Sequence, residues 1–140
     1  MTRRQIILTL LAAHLWADDA REIWDLFTGM AAALSEGNAV QFLQPFDRSM
    51  PDYQMLESTV SALLRGYEVR SSVELLSDEG SGSARTIELD WYLELVEQQD
   101  DTNVTRRRER VRARLTKSGK KWKIVGLEPI AFFAPPGVPR

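Results

Sequence analysis

Few side chains in this 140-residue chain could move protons or hold an ion, and their types narrow the chemistry at once. There is no cysteine, which excludes disulfides, thiolate nucleophiles, iron–sulfur clusters and cysteine-type zinc sites. The single histidine, His14, lies in an N-terminal segment that reads as a removable leader. Without it no Ser-His-Asp or Cys-His arrangement and no imidazole metal site can be assembled, so neither a metal nor a cofactor is expected. Carboxylate, phenol, lysine and arginine chemistry remains. Asp47 and Tyr53 share the irregular stretch 46–53 and offer a carboxylate base and a phenol donor toward a small carbonyl compound, with Tyr67 as a second hydroxyl. Asp90 and Tyr92 form a similar pair on alternate residues. The plainer reading is that Asp47 caps a turn, Asp52 caps or charges the start of a helix, and the tyrosines bury their rings. Trp24, Phe42, Phe46, Tyr67, Ser71, Trp91 and Trp122 are the residues expected to line an apolar ligand pocket.

The sharpest local feature is basic: Arg106, Arg107, Arg108, Arg110, Arg112 and Arg114. Arginines on alternate positions of a strand can track phosphates. Against that, 18 Lys+Arg stand against 20 Asp+Glu, and the preceding strand places Glu88, Asp90, Glu94 and Glu97 on the same face. A solvated ion ladder is therefore expected there, or a contact between two copies of the chain through Arg108, Arg110, Arg112 and Arg114, and nucleic acid is not expected as a partner.

The elements that must position these groups are legible as periods. Residues 1–17 read as a secretory leader: Arg3 and Arg4, an apolar run from Ile6 to Ala13, and Leu15-Trp16-Ala17 as the cleavage site. The arginine pair also resembles the twin-arginine export pattern. The run is far shorter than the roughly 20 apolar residues of a bilayer span, so no permanent membrane anchor is expected, and the mature protein would be periplasmic or extracellular. A retained N-terminal helix is the alternative. Ile23, Phe27, Met30 and Leu34 then recur at helical spacing up to Gly37, a short helix covers 38–43, and a third runs from Pro51 to Gly66 through Leu56, Val60 and Leu63.

From Tyr67 onward the period is two. Four strands are predicted, separated by turns at 78–83, 98–103 and 117–120, and a Pro-rich tail covers 135–140. In the middle hairpin the apolar residues are matched by setting Trp91 opposite Ala113 and Leu93 opposite Val111. The outer face then pairs Glu94 with Arg110, Tyr92 with Arg112 and Asp90 with Arg114. On this alternation Ser71 is the one polar residue facing inward.

Helices followed by an antiparallel meander predict an α+β domain over residues 18–134. With Leu34-Ser35-Glu36-Gly37-Asn38 at the first helix junction, Trp91 in a central strand and Lys121-Trp122-Lys123-Ile124-Val125 in a late one, the chain resembles the nuclear transport factor 2-like, cystatin-like superfamily. That group includes ketosteroid isomerase, scytalone dehydratase and the SnoaL-like polyketide cyclases. The resemblance implies a cone, with a strongly curved sheet wrapped round the helices, a pocket between them, and often a homodimer. Its enzymes place acid–base groups inside the cone, and the apolar inner face here departs from that pattern. The expectation is an exported domain that binds a small apolar ligand or serves as an envelope interaction module, without efficient catalysis. The alternative is a cofactor-free lyase or isomerase using Asp47 and Tyr53 on a small apolar carbonyl compound. A cone filled by its own side chains, with only its surface active, is a third class.

Overall fold

A computed structural model describes the backbone of residues 3–137 and the side chains of 18–137. Residues 1–2 of the expected leader and 138–140 of the expected tail lie outside the described residues. Helix α1 spans Arg3–Ser35, so the backbone is helical through most of the expected leader and continues without a break into the predicted first helix. Its inward stripe, Ile23, Phe27, Met30, Ala31 and Leu34, is buried. Gly37, at φ 70°, stops it: the amides of Gly37 and Asn38 donate to the carbonyls of Leu34 and Ala33, an arrangement that requires a left-handed residue at that point. Asn38 then caps α2 (Ala39–Leu43), its side-chain oxygen accepting from the Gln41 amide at 3.0 Å. Helix α3 (Tyr53–Gly66) buries Leu56, Val60 and Leu63. Asp52 stands at its start, but its side chain makes no capping bond.

Strands β1 (Tyr67–Ser81), β2 (Ala84–Glu97), β3 (Val104–Ser118) and β4 (Lys121–Glu128) form one antiparallel sheet in sequence order. The segment 45–47 closes onto β4: the Ile124 amide donates to Pro45 at 2.9 Å and the Asp47 amide donates to Ile124 at 2.8 Å. The fold is the expected α+β cone, helices on the inner face of a curved sheet.

The β2–β3 register differs from the expected one. Leu89 lies opposite Val111, Ile87 opposite Ala113, and Trp91 opposite Glu109, a slide of four residues along β3. An even slide leaves every side chain on its expected face, so apolar alternation cannot tell the two apart; the turn decides. It is tight. Val96 pairs with Val104, the Glu97 amide donates to the Asn103 carbonyl at 3.1 Å, and the Asn103 side chain donates to Glu97 at 2.6 Å. In either register Arg107 and Glu109 share the inward phase of Val111 and Ala113, so Ser71 is not the one polar residue on that face.

Beyond β4 a 3₁₀ turn, Ile130–Phe133, folds back under the sheet, and Phe132, Phe133 and Ala134 are buried. Arg107 reaches this segment, donating to the carbonyls of Phe132 at 2.9 Å and Ala134 at 2.5 Å.

Candidate functional site

The residues expected to line a pocket do not come together around a space. Trp91 and Phe133 meet edge to face at 5.2 Å between ring centroids, and Phe42 lies 5.5 Å from Phe133, 6.4 Å from Trp91 and 5.7 Å from Phe46. Phe27 and Phe132 complete the cluster, at 6.5 Å from Trp91 and 5.1 Å from Phe133. All six rings are at most 2% exposed. These spacings belong to packed aromatic pairs and leave no room for a ligand among them. Ser71 is occupied: its hydroxyl accepts from the Trp91 indole at 2.8 Å, and its amide donates to Ser35 Oγ at 3.0 Å. Trp24 points outward and is 41% exposed, Tyr67 is half-buried against the core, and Trp122, buried in the same hydrophobic core, has its ring against Lys117 and Arg85. Sequence reasoning missed Phe132 and Phe133 because one 3₁₀ turn carries no measurable period.

Asp47 and Tyr53 do line one open groove of about 900 Å³, together with Arg48, Glu57 and Lys123. No hydrogen bond joins them among the described residues. Asp47 Oδ1 accepts from the Ser49 amide at 2.8 Å and its hydroxyl at 2.7 Å. Those bonds, with a smaller contribution from the charge of Lys123, hold its carboxyl below the ordinary aspartate value. A general base works best with a pKa near the operating pH, so this environment moves Asp47 away from that role and toward turn capping.

The outer face carries the arginines. Arg108 grips Asp90 through Nε at 3.0 Å to both oxygens and Nη2 at 2.5 Å, which lowers the Asp90 pKa and raises that of Arg108. Arg106 lies 3.7 Å from Glu94, and Arg110 and Arg112 lie 3.4 and 3.1 Å from Glu88. The expected pairs of Asp90 with Arg114, Glu94 with Arg110 and Tyr92 with Arg112 are thereby corrected, as the register requires. Arg114 instead lays its guanidinium against Gly126, where any Cβ would come within 2.7 Å of Nη2. The paired arginine side chains remain 54–70% exposed while their carboxylates are only about 20% exposed. Acidic groups form the floor of the face and guanidinium groups its outer layer.

A third charged group joins α1 to the far end of the sheet. Lys117 bonds Asp19 at 2.8 Å, which with Glu22 nearby raises its pKa. The Trp122 indole donates to Glu22 at 3.1 Å, and Lys117 and Arg85 lie 5.5 and 5.7 Å from the Trp122 ring centroid. Arg85 is 3% exposed and bonds both oxygens of Asp78 at 2.8 and 2.9 Å. Its signal was present in the sequence, since it occupies the inward phase of β2. No cluster of metal-ligating side chains occurs among the described residues, and no described helix is long and apolar enough to cross a membrane.

No protein-family model and no curated protein matches the chain. Solved structures do. A protein from Novosphingobium aromaticivorans named for scytalone dehydratase superposes with a TM-score of 0.70 at 9% identity, over 79% of this chain and 82% of its own. A nuclear transport factor 2-like superfamily protein from Salmonella enterica serovar Typhimurium gives 0.62 at 14% identity, over 76% and 86%. A protein from Xanthomonas campestris named for the calcium/calmodulin-dependent protein kinase II association domain gives 0.58 at 18%, over 77% and 84%.

Proposed function

We infer that the site and not the fold carries the function, because the nuclear transport factor 2-like fold of this chain is a scaffold used for enzymes, carriers and interaction modules alike. We propose that this domain is an exported, non-catalytic interaction module that works as a homodimer through the outer face of its sheet. The observation that carries the reading is the closed cone, whose six packed rings stand where a substrate would sit. Against the lyase or isomerase alternative stands Asp47, whose carboxylate is engaged by Ser49 and held below the ordinary aspartate value, a poor setting for a general base.

The outer face is suited to a second copy by its striping. Glu88, Asp90 and Glu94 run along β2, and Arg106 to Arg114 run along the neighbouring β3 at matched heights. A two-fold axis parallel to the strands and midway between them lays each β2 over the partner's β3, so the acidic stripe of one copy meets the arginine stripe of the other. The Xanthomonas neighbour, named for an association domain, supports self-assembly on this scaffold. Export rests on residues 1–17, and N-terminal sequencing of native material tests it: the expected first residue is Asp18, and an intact Met1 contradicts it.

Sedimentation equilibrium tests the dimer. At low ionic strength the chain should sediment as a dimer that weakens as salt is added, and Arg108→Glu with Arg110→Glu should sediment as a monomer. A monomer at the highest concentrations in low salt, or a dimer indifferent to the charge reversals, overturns the reading.

A further inference from the structure

A second surface is built differently from the sheet face. Between α1, α2 and the β3–β4 turn runs a groove of about 440 Å³, which shares no lining residue with the arginine ladder. Its volume lies in the range of small-molecule sites. Its floor is apolar: Met30 is 1% exposed, Trp122 6%, and Leu26 is partly buried against the core.

Gly29 lines the same groove from the C-terminal third of α1, at an exposed position inside the helix. Glycine inside a helix is destabilising by roughly 0.5–1 kcal/mol relative to alanine. Packing does not demand it here, because a Cβ built at this position meets nothing within 4 Å and its φ is ordinary. The missing side chain keeps the groove open.

The charges of the groove do not cancel. Glu22 is committed to the Trp122 indole and to Lys117, at 3.1 and 3.7 Å. That leaves Asp25 on the helix wall against Lys120, Lys121 and Lys123 on the opposite wall. Lys120 and Lys121 have no ion pair among the described residues, and Lys123 exerts its field on Asp47 outside the groove. The available charge is positive, beside an apolar floor.

We propose that this groove binds a small anionic amphiphile, its apolar body lying over Gly29 on Leu26, Met30 and Trp122 and its acidic head among Lys120, Lys121 and Lys123. The head gains charge-assisted hydrogen bonds at a half-exposed site, and the body is removed from water.

Calorimetric titration of the full chain with decanoate, below its micelle concentration, tests the site. One saturable site per chain is expected. Decanol, with the same body and no charge, should bind at least about tenfold more weakly, and so should decanoate to Lys120→Gln/Lys121→Gln. Gly29→Met should abolish binding by filling the groove, while Gly29→Ala retains it and raises Tm. Absence of saturable binding to the wild-type chain overturns the proposal, as does unchanged affinity in a folded Gly29→Met variant or in the lysine variant. The dimer reading fails or stands apart from this: decanoate should still bind Arg108→Glu/Arg110→Glu.

Discussion

Phe133 touches Trp91, Phe42 and Phe132 at once, and its removal measures how tightly the cone is packed. Phe133→Ala should lower stability by about 3–5 kcal/mol in denaturant unfolding, the range for deleting a fully buried ring that neighbours cannot replace. A loss under about 1 kcal/mol would mean that the ring is loosely held. Asp47 gives a pH test. Its native pKa is lowered from 3.8, chiefly by the two bonds from Ser49. The folded form is therefore favoured while the group is ionised, and that stabilisation is present above the unfolded value and lost as pH falls through the lowered native one. Asp47→Asn should be less stable than wild type near neutral pH, and the two should converge in strong acid. Acid unfolding curves check both statements. At this scale the turn-capping role of Asp47 was legible, because an aspartate two residues before a serine in an irregular stretch is a turn signature. The burial of Phe132 and Phe133 was not, since it depends on contacts with helices nearly a hundred residues away.

Strand faces survived where strand register did not. The alternation of Leu89, Trp91 and Leu93 against Val111, Ala113 and Leu115 fixes which side is inward, yet it is satisfied equally by registers four residues apart, and only the bonds between Glu97 and Asn103 choose. Nuclear Overhauser contacts between the side chains of Leu89 and Val111 are expected, and contacts pairing Leu93 with Val111 would restore the other register. The joint between α1 and the sheet is likewise non-local. Lys117 has its pKa raised from 10.5, first by its bond to Asp19. Its contribution is complete below the unfolded value and lost as pH rises through the raised one. Lys117→Ala should therefore remove part of the alkaline destabilisation and speed amide exchange in the α1 turn around Asp19–Ile23. Unchanged exchange there would show that Asp19 and Glu22 do not fasten the helix.

At the scale of the whole molecule, element order sufficed for the cone, because three helices followed by four meandering strands have few ways to bury their apolar faces. It did not reveal whether the cone was open. That depended on the segment after β4, which closes the space with rings and is held by Arg107, whose inward phase on β3 is the same in either register. The observed register puts guanidinium groups above carboxylates on the outer face, so Arg106, Arg108, Arg110 and Arg112 share the three carboxylates of Glu94, Asp90 and Glu88 and are largely neutralised. Retention on heparin resin should accordingly be weak and lost at modest salt. Strong retention abolished by Arg108→Ala/Arg110→Ala would make this face a polyanion site.

The closed cone is the claim on which the rest stands, and side-chain methyl spectroscopy of the full chain during titration with indole addresses it directly. With Trp91, Phe42 and Phe133 in contact, the methyl resonances of Leu89, Leu93 and Val111, all fully buried, should not move up to the solubility limit of indole. Saturable shifts of those three residues would mean that the cone admits a ring, and would return the search for a ligand to its interior.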